Sequence, residues 1–284
     1  MKLLGLGDNV VDCYLNTGEC FPGGNAVNVA AHASLLGIQG CYLGNLGGDE
    51  MGGVLMEAMT RAGVDYSRCR RIPGTTTKRC NYIVTDGERN FQGIDLGTRW
   101  SGPLVLGEEE LQYIREFDGV HCCCNAKMED EMIKLKDIPG VLTYDFGEKE
   151  KYRNETYMKK VCGYLDMALF SCPPMNEEEC RSFCEPYHQL GTRYVMITMG
   201  HAGQYVSDGK HLYRGEAKKI KVVDTMGAGD SFFTAFVVSL LNAGWKKGIM
   251  MQKEAVESAL ASAAEYSAAN CMKEGGFGMK AVTV

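Results

Sequence analysis

The sequence contains no CxxC pair, no run of lysine or arginine, and no apolar stretch approaching bilayer-spanning length. Each absence removes a class of function. Without paired spacing, the 13 cysteines do not outline a zinc or dithiol site. Cys180 and Cys184 stand four apart on an expected helix with no second pair, and Cys122-Cys123-Cys124 alternates faces if it lies on a strand. Buried free thiols in a reducing compartment are the expectation. Without a basic stripe, and with a net charge of −6, the chain is not expected to partner nucleic acid. The opening Leu3-Leu4-Gly5-Leu6-Gly7 turns polar too soon for a signal peptide, so a cytoplasmic protein with no membrane partner is expected. Internal repeats and low-complexity tracts are missing as well.

What is present is 284 residues with 45% hydrophobic content, enough for one large α/β domain with or without a small appendage. Short β-branched runs alternate with helical patterns, the signature of βαβ units. Strands are expected at 3–6, 40–43, 119–124, 141–146, 164–171 and 193–198, and helices at 26–36, 52–61, 108–117, 129–135, 177–190, 231–242 and 252–272. Two hairpins interrupt the alternation. One runs from Thr75 to Phe91 and turns at Asp86-Gly87; the other runs from Tyr205 to Tyr213 and turns at Asp208-Gly209. The first, with the stretch from Val10 to Phe21, would make a small sheet set apart from the main one.

Two segments carry chemistry. In Asp224-Thr225-Met226-Gly227-Ala228-Gly229-Asp230 a glycine-rich turn leads into the apolar run that begins at Ser231. Free amides at such a helix start, with the helix dipole, favour an anion such as a transferring phosphate. Asp230 could accept the proton of an attacking hydroxyl, or it could simply cap the helix. In Pro22-Gly23-Gly24-Asn25-Ala26-Val27-Asn28-Val29-Ala30 a diglycine precedes a helix with Asn25 and Asn28 on one face. Their amides offer the donors and acceptors that sugar hydroxyls require, although an Asn cap after a Gly turn reads equally well. Asp8, Asn9 and Asp12 follow the first strand, where parallel sheets hold ligands; Asp8 and Asn9 could also serve only the turn.

Taken in this order, the segments resemble the PfkB, or ribokinase-like, family of carbohydrate kinases over nearly the whole chain. Further matches are Gly47-Gly48-Asp49 followed by Gly52, the Asn-x-x-Glu motif at Asn176 to Glu179, and Thr198-Met199-Gly200 with Gly203. The resemblance implies a doubly wound α/β fold whose mainly parallel sheet is flanked by helices, with a small β-sheet lid. A single kinase domain over 1–284 is implied, its lid formed by segments about 10–21 and 75–100. Also implied is transfer of the γ-phosphoryl group of ATP to a sugar hydroxyl, with Asp230 as base and the amides of Gly227, Ala228 and Gly229 as anion hole. Asp12, Gly24, Asn25 and Asn28 would face the sugar, and Thr198, Gly200 and Gly203 would border the nucleotide. Asn176 and Glu179 would organise Mg2+ through its waters, and a helix N-cap is the other reading of Asn176. Asp224 and Thr225 would hold a monovalent cation such as K+, as in several family members. The resemblance leaves room for a homodimer formed through the lid.

Within the family the opening, Gly7-Asp8-Asn9-Val10-Val11-Asp12-Cys13-Tyr14, is similar to that of fructoselysine 6-kinases and related fructosamine kinases. The implied substrate is then a glycated amino acid phosphorylated at its C6 hydroxyl. Lid charges would meet its ammonium and carboxylate, with Glu88 and Asp95 for the first and Arg89 and Arg99 for the second. Alternatives are a kinase for fructose, ribose or another plain sugar, and a non-catalytic sugar-binding regulator. A nucleotide-binding oxidoreductase fits poorly, because Val10 stands where the third glycine of the Gly5-x-Gly7 fingerprint belongs.

Overall fold

Short stretches that are apolar at all but the last position, such as Met167–Ser171 and Tyr194–Thr198, form strands covered on both faces, as a parallel sheet between helix layers requires. The computed structural model describes residues 1–85, 88–279 and 282–283. In chain order the first elements are β1 (Lys2–Leu6), β2 (Val10–Tyr14), β3 (Glu19–Gly23), α1 (Asn25–Leu35), β4 (Gln39–Leu43), β5 (Asn45–Gly47) and α2 (Glu50–Arg61). Next come β6 (Arg70–Ile72), β7 (Arg79–Thr85), β8 (Glu88–Asp95), α3 (Glu108–Ile114), β9 (Gly119–Cys123), β10 (Val141–Asp145), α4 (Glu155–Val161) and β11 (Met167–Ser171). The chain continues with α5 (Glu177–Gln189), β12 (Tyr194–Thr198), β13 (Gln204–Ser207), β14 (Leu212–Gly215), α6 (Ala228–Asn242), α7 (Lys253–Asn270) and β15 (Val282–Thr283).

The main sheet has eight strands in the order β14-β13-β12-β11-β10-β9-β1-β4. From β12 to β4 all neighbours are parallel; β13 and β14 close one edge as an antiparallel pair. Strand periodicity sends alternate residues into two cores. Ala168, Phe170, Val195 and Ile197 pack toward α5, whereas Met167, Leu169, Tyr194 and Met196 pack toward α6 and α7. A second sheet, ordered β15-β3-β2-β7-β8, stands apart from the first. Contact between β1 and α1 is close enough to require glycine, since a Cβ on Gly5 would run into Ala26 O.

Several expectations need correction. α6 begins at Ala228 rather than Ser231, because Gly227 takes the left-handed conformation (φ 66°) and caps the helix there. The helix expected at 129–135 is a single tight turn, Met132–Leu135, whose backbone bonds span three residues. α4 was not anticipated; Asn154 caps it by accepting from Tyr157 N at 3.0 Å. The expected Tyr205–Tyr213 hairpin is present as β13 and β14, and it forms the edge of the main sheet. The expected turn at Asp86-Gly87 lies outside the described residues, as do the side chains of Glu88 and Arg89. All 13 cysteines are free thiols, with Cys180 and Cys184 on the buried face of α5. Among the described residues no helix is long and apolar enough to cross a membrane.

Candidate active site

The C-terminal ends of the parallel strands and the N-termini of α1 and α6 converge on one group of side chains. Asp230 is the third residue of α6, and its two carboxylate oxygens accept from Asn25 Nδ2 at 2.7 Å and Asn28 Nδ2 at 2.6 Å. Its side chain therefore does not cap the helix. Thr234 Oγ1 donates to Asp230 O at 2.7 Å, a back-bond that ties up the backbone one turn on. Withdrawal from water raises the Asp230 carboxyl to about 6; the Asn28 and Asn25 amides oppose the rise and the Asp8 charge adds to it. Asp145, the last residue of β10, accepts the other amide hydrogen of Asn25 at 2.8 Å. Burial, then the Asp230 charge, pushes Asp145 up to about 7.

Asn25 is fixed from behind. With both amide hydrogens given to carboxylates, its Oδ1 accepts from His121 Nε2 at 2.7 Å, which places the ring proton on Nε2. The other ring nitrogen then accepts from Thr143 Oγ1 at 2.9 Å. Burial drives His121 down to about 3, so it stays neutral. Asp8 accepts from Asn25 N at 3.1 Å and pairs with Lys78, serving the helix start that Gly24 cannot cap with a side chain. Asn9 bonds Tyr42 and Asn45, a structural role.

Beside this group lies a cavity of about 700 Å³. Thr198, Gly200, Thr225, Ala228 and Gly229 line it, so expected nucleotide and anion residues share one space. Ala228 N closes a turn onto Thr225 O at 3.2 Å, and Ser231 N makes the first helical bond, to Gly227 O at 2.8 Å. Between them, the Gly229 N–H takes no backbone partner among the described residues. Asp224 accepts from Met226 N at 2.8 Å and Gly275 N at 3.0 Å, pinning the loop before α6 to the loop after α7. Gly203 (φ 97°) packs against β14, where a Cβ would lie 2.5 Å from Gly215 O.

At the residues expected to face the sugar, Asp12 and Asn28 flank bare backbone: a Cβ on Gly23 would come within 3.2 Å of Asp12 Oδ2 and 3.7 Å of Asn28 Oδ1. Asn28 Oδ1 is buried with no hydrogen-bond partner among the described residues. Gly24 (φ 103°) is needed by its neighbour, since a Cβ there would sit 2.6 Å from Asn9 Cα. Asn176 and Glu179 form a reciprocal capping box on α5 (2.7 and 3.0 Å) at an exposed helix start. Among the described residues no three His, Cys, Asp or Glu side chains form a metal cage. Asp95 and Arg99 stand exposed. Sequence reasoning missed Asp145 and His121. Only the position of Asp145 at a strand end of a parallel sheet could have signalled it.

A family model described as pfkB family carbohydrate kinase matches residues 4–279. The sequence is 30% identical over 279 residues to the fructosamine kinase FrlD of Bacillus subtilis (strain 168), covering 98% of this chain and 93% of that one. It is 30% identical over 266 residues to a fructoselysine 6-kinase of Escherichia coli (strain K12), covering 93% and 97%. Among solved structures, a fructokinase with bound ATP from Xylella fastidiosa shares the fold at a TM-score of 0.79 and 17% identity, over 97% of this chain and 94% of that one. With a matching model over nearly its whole length, the chain belongs to the pfkB family of carbohydrate kinases.

Proposed function

We propose that this protein is an ATP-dependent kinase that phosphorylates the C6 hydroxyl of fructoselysine or a related fructosamine. The observation that carries the chemistry is Asp230, held by Asn25 and Asn28 in the first turn of α6, directly after Ala228 and Gly229, which line the cavity. The sugar hydroxyl gives its proton to the Asp230 carboxylate while its oxygen attacks the γ-phosphorus; the bond to the β-phosphate oxygen breaks, and ADP leaves. Charge developing on the transferred group faces the start of α6, where the Gly229 N–H is open and the helix dipole is positive. Asn28 Oδ1, Asp12 and the backbone at Gly23 and Gly24 receive sugar hydroxyls, and the sheet built on β2, β3, β7 and β8 closes over them as a lid.

Asn176 and Glu179 would reach Mg2+ through water while the phosphates and water held it directly, and the ion would supply neutralisation of phosphate charge. Asp224 and Thr225 would be the residues to hold a monovalent cation. The fructosamine assignment is supported by full-length similarity to the two kinases named above. It is tested by incubating the protein with ATP and fructoselysine and locating the phosphate by NMR. A phosphomonoester on C6 is expected; a phosphate elsewhere, or no ADP formed with any glycated amino acid, would remove the assignment.

A further inference from the structure

Gln204 opens β13 and pairs across the sheet edge with Thr198 on one side and Gly215 on the other. It is only 7% exposed, yet it lines the cavity. Its Oε1 is buried without a partner among the described residues, next to Gly215, where an added Cβ would lie 2.9 Å from it. Buried amide oxygens are seldom left so unless something else satisfies them.

α7 shows which end of the cavity this is. Ser267 donates to Ala228 O at 2.9 Å and marks the end where the α6 amides face. Seven residues earlier on the same helix, Leu260 packs against the Gly215 position, with a side-chain carbon 3.1 Å from the Cβ that glycine lacks. At about 1.5 Å of rise per residue the two points lie roughly 10 Å apart, a span that a ribose and its phosphates fill. With the phosphates at α6, the base reaches Gln204. Ala217, Ile220, Val222 and Ala264 add apolar surface to the lining, which suits the faces of a flat ring.

We infer that Gln204 reads the nucleobase and selects adenine over guanine. This rests on the ATP-dependent reading given above. Along its N7 edge adenine presents the N6 amino donor beside the N7 acceptor, a pattern that a glutamine amide matches with one oxygen and one NH2. The amide torsion is soft, so the group can turn that edge toward the ring. Guanine presents O6 and N7 along the same edge, two acceptors, and leaves Oε1 facing a lone pair.

The test compares the protein with Gln204→Leu and with Gln204→Met, the second preserving side-chain length without an amide should the first fail to fold. Sugar-phosphorylating kcat/KM is measured with ATP and with GTP, and the rise in melting temperature is measured with ADP and with GDP. ATP is expected to be preferred by at least about tenfold, and either variant to shrink that preference at least about tenfold. ADP should stabilise the unaltered protein more than GDP does, and this difference should vanish in the variants. A preference within about threefold in the unaltered protein, or one kept by a folded variant, overturns the inference. The melting shifts decide it even if no sugar is turned over, whereas absence of turnover with every sugar would sink only the proposed activity.

Discussion

Replacing Asp230 by Asn removes the carboxylate proposed to take the hydroxyl proton while changing almost nothing in size. A positioned general base is worth on the order of 100- to 10,000-fold in rate, or about 3–5 kcal/mol of barrier, so kcat should fall by that factor. The structure sets the side effects. Both carboxylate oxygens accept from amides, so Asn at 230 must turn its NH2 toward Asn25 or Asn28, leaving one donor unpaired at about 1–3 kcal/mol. Loss of a charge withdrawn from water offsets part of that. Melting should therefore shift by several degrees at most, at roughly 2–4 °C per kcal/mol for a chain of this order of size. KM for ATP should stay within about threefold, since the carboxylate is not expected to hold the nucleotide. The pH profile adds a second reading. Below about 6 the native carboxyl is protonated and cannot accept a proton, so kcat/KM should fall as pH drops through that value, and the residual activity of the variant should lack this limb. Steady-state kinetics from pH 5 to 9 with a melting curve at each pH would measure both. A variant with kcat within about tenfold of the unaltered protein would refute the assignment of Asp230 as base.

Three further outcomes are expected. Gly227→Ala places a Cβ on a left-handed residue (φ 66°) and drives it into the backbone of Gly276, 2.9 Å from its Cα, so urea unfolding should show a loss of at least about 2 kcal/mol; a change below about 0.5 kcal/mol would contradict the capping role. Asp12→Ala should raise the sugar KM at least about tenfold or abolish turnover, with ATP affinity nearly unchanged; damage to ATP affinity alone would show the site is wrongly divided. His32, whose ring nitrogens bond Tyr266 and Gly276, is lowered by burial to about 4 from 6.5. The unfolded chain thus binds a proton that the native one does not, so this contribution is present above pH 6.5 and lost as pH falls toward 4, while Asp145 and Asp230, raised in the native state, act in the opposite sense. His32→Gln should flatten its part of the slope, read as urea midpoint against pH.

How much was legible in the sequence follows from how local each signal is. The start of α6 could be read because glycine conformation and free helix amides are properties of a few consecutive residues, although the helix start was misplaced by three residues: Ala228, Gly229 and Asp230 proved helical once Gly227 had made the turn. Asn25 and Asn28 were legible as a shared face, and both donate to Asp230. What the spacing could not show is that Asn25 gives its amide to two carboxylates and takes a bond from His121. Asp145 is one of 36 acidic residues, and nothing around it in sequence distinguishes it; it matters because β10 ends beside α1 and α6. His121 reads as an ordinary core position on β9. β15 pairs with β3 across more than 250 residues, a contact that no local pattern encodes.

The most direct test of the account is a competition between fructoselysine and fructose for phosphorylation by ATP at equal concentration. A site made for an ammonium and an amino-acid tail leaves charges unsatisfied when plain fructose binds. The ratio of kcat/KM should then favour fructoselysine by at least about tenfold, the effect of a single charged contact. An equal or reversed ratio would contradict the fructosamine assignment and make the protein a kinase of plain ketoses on the same fold.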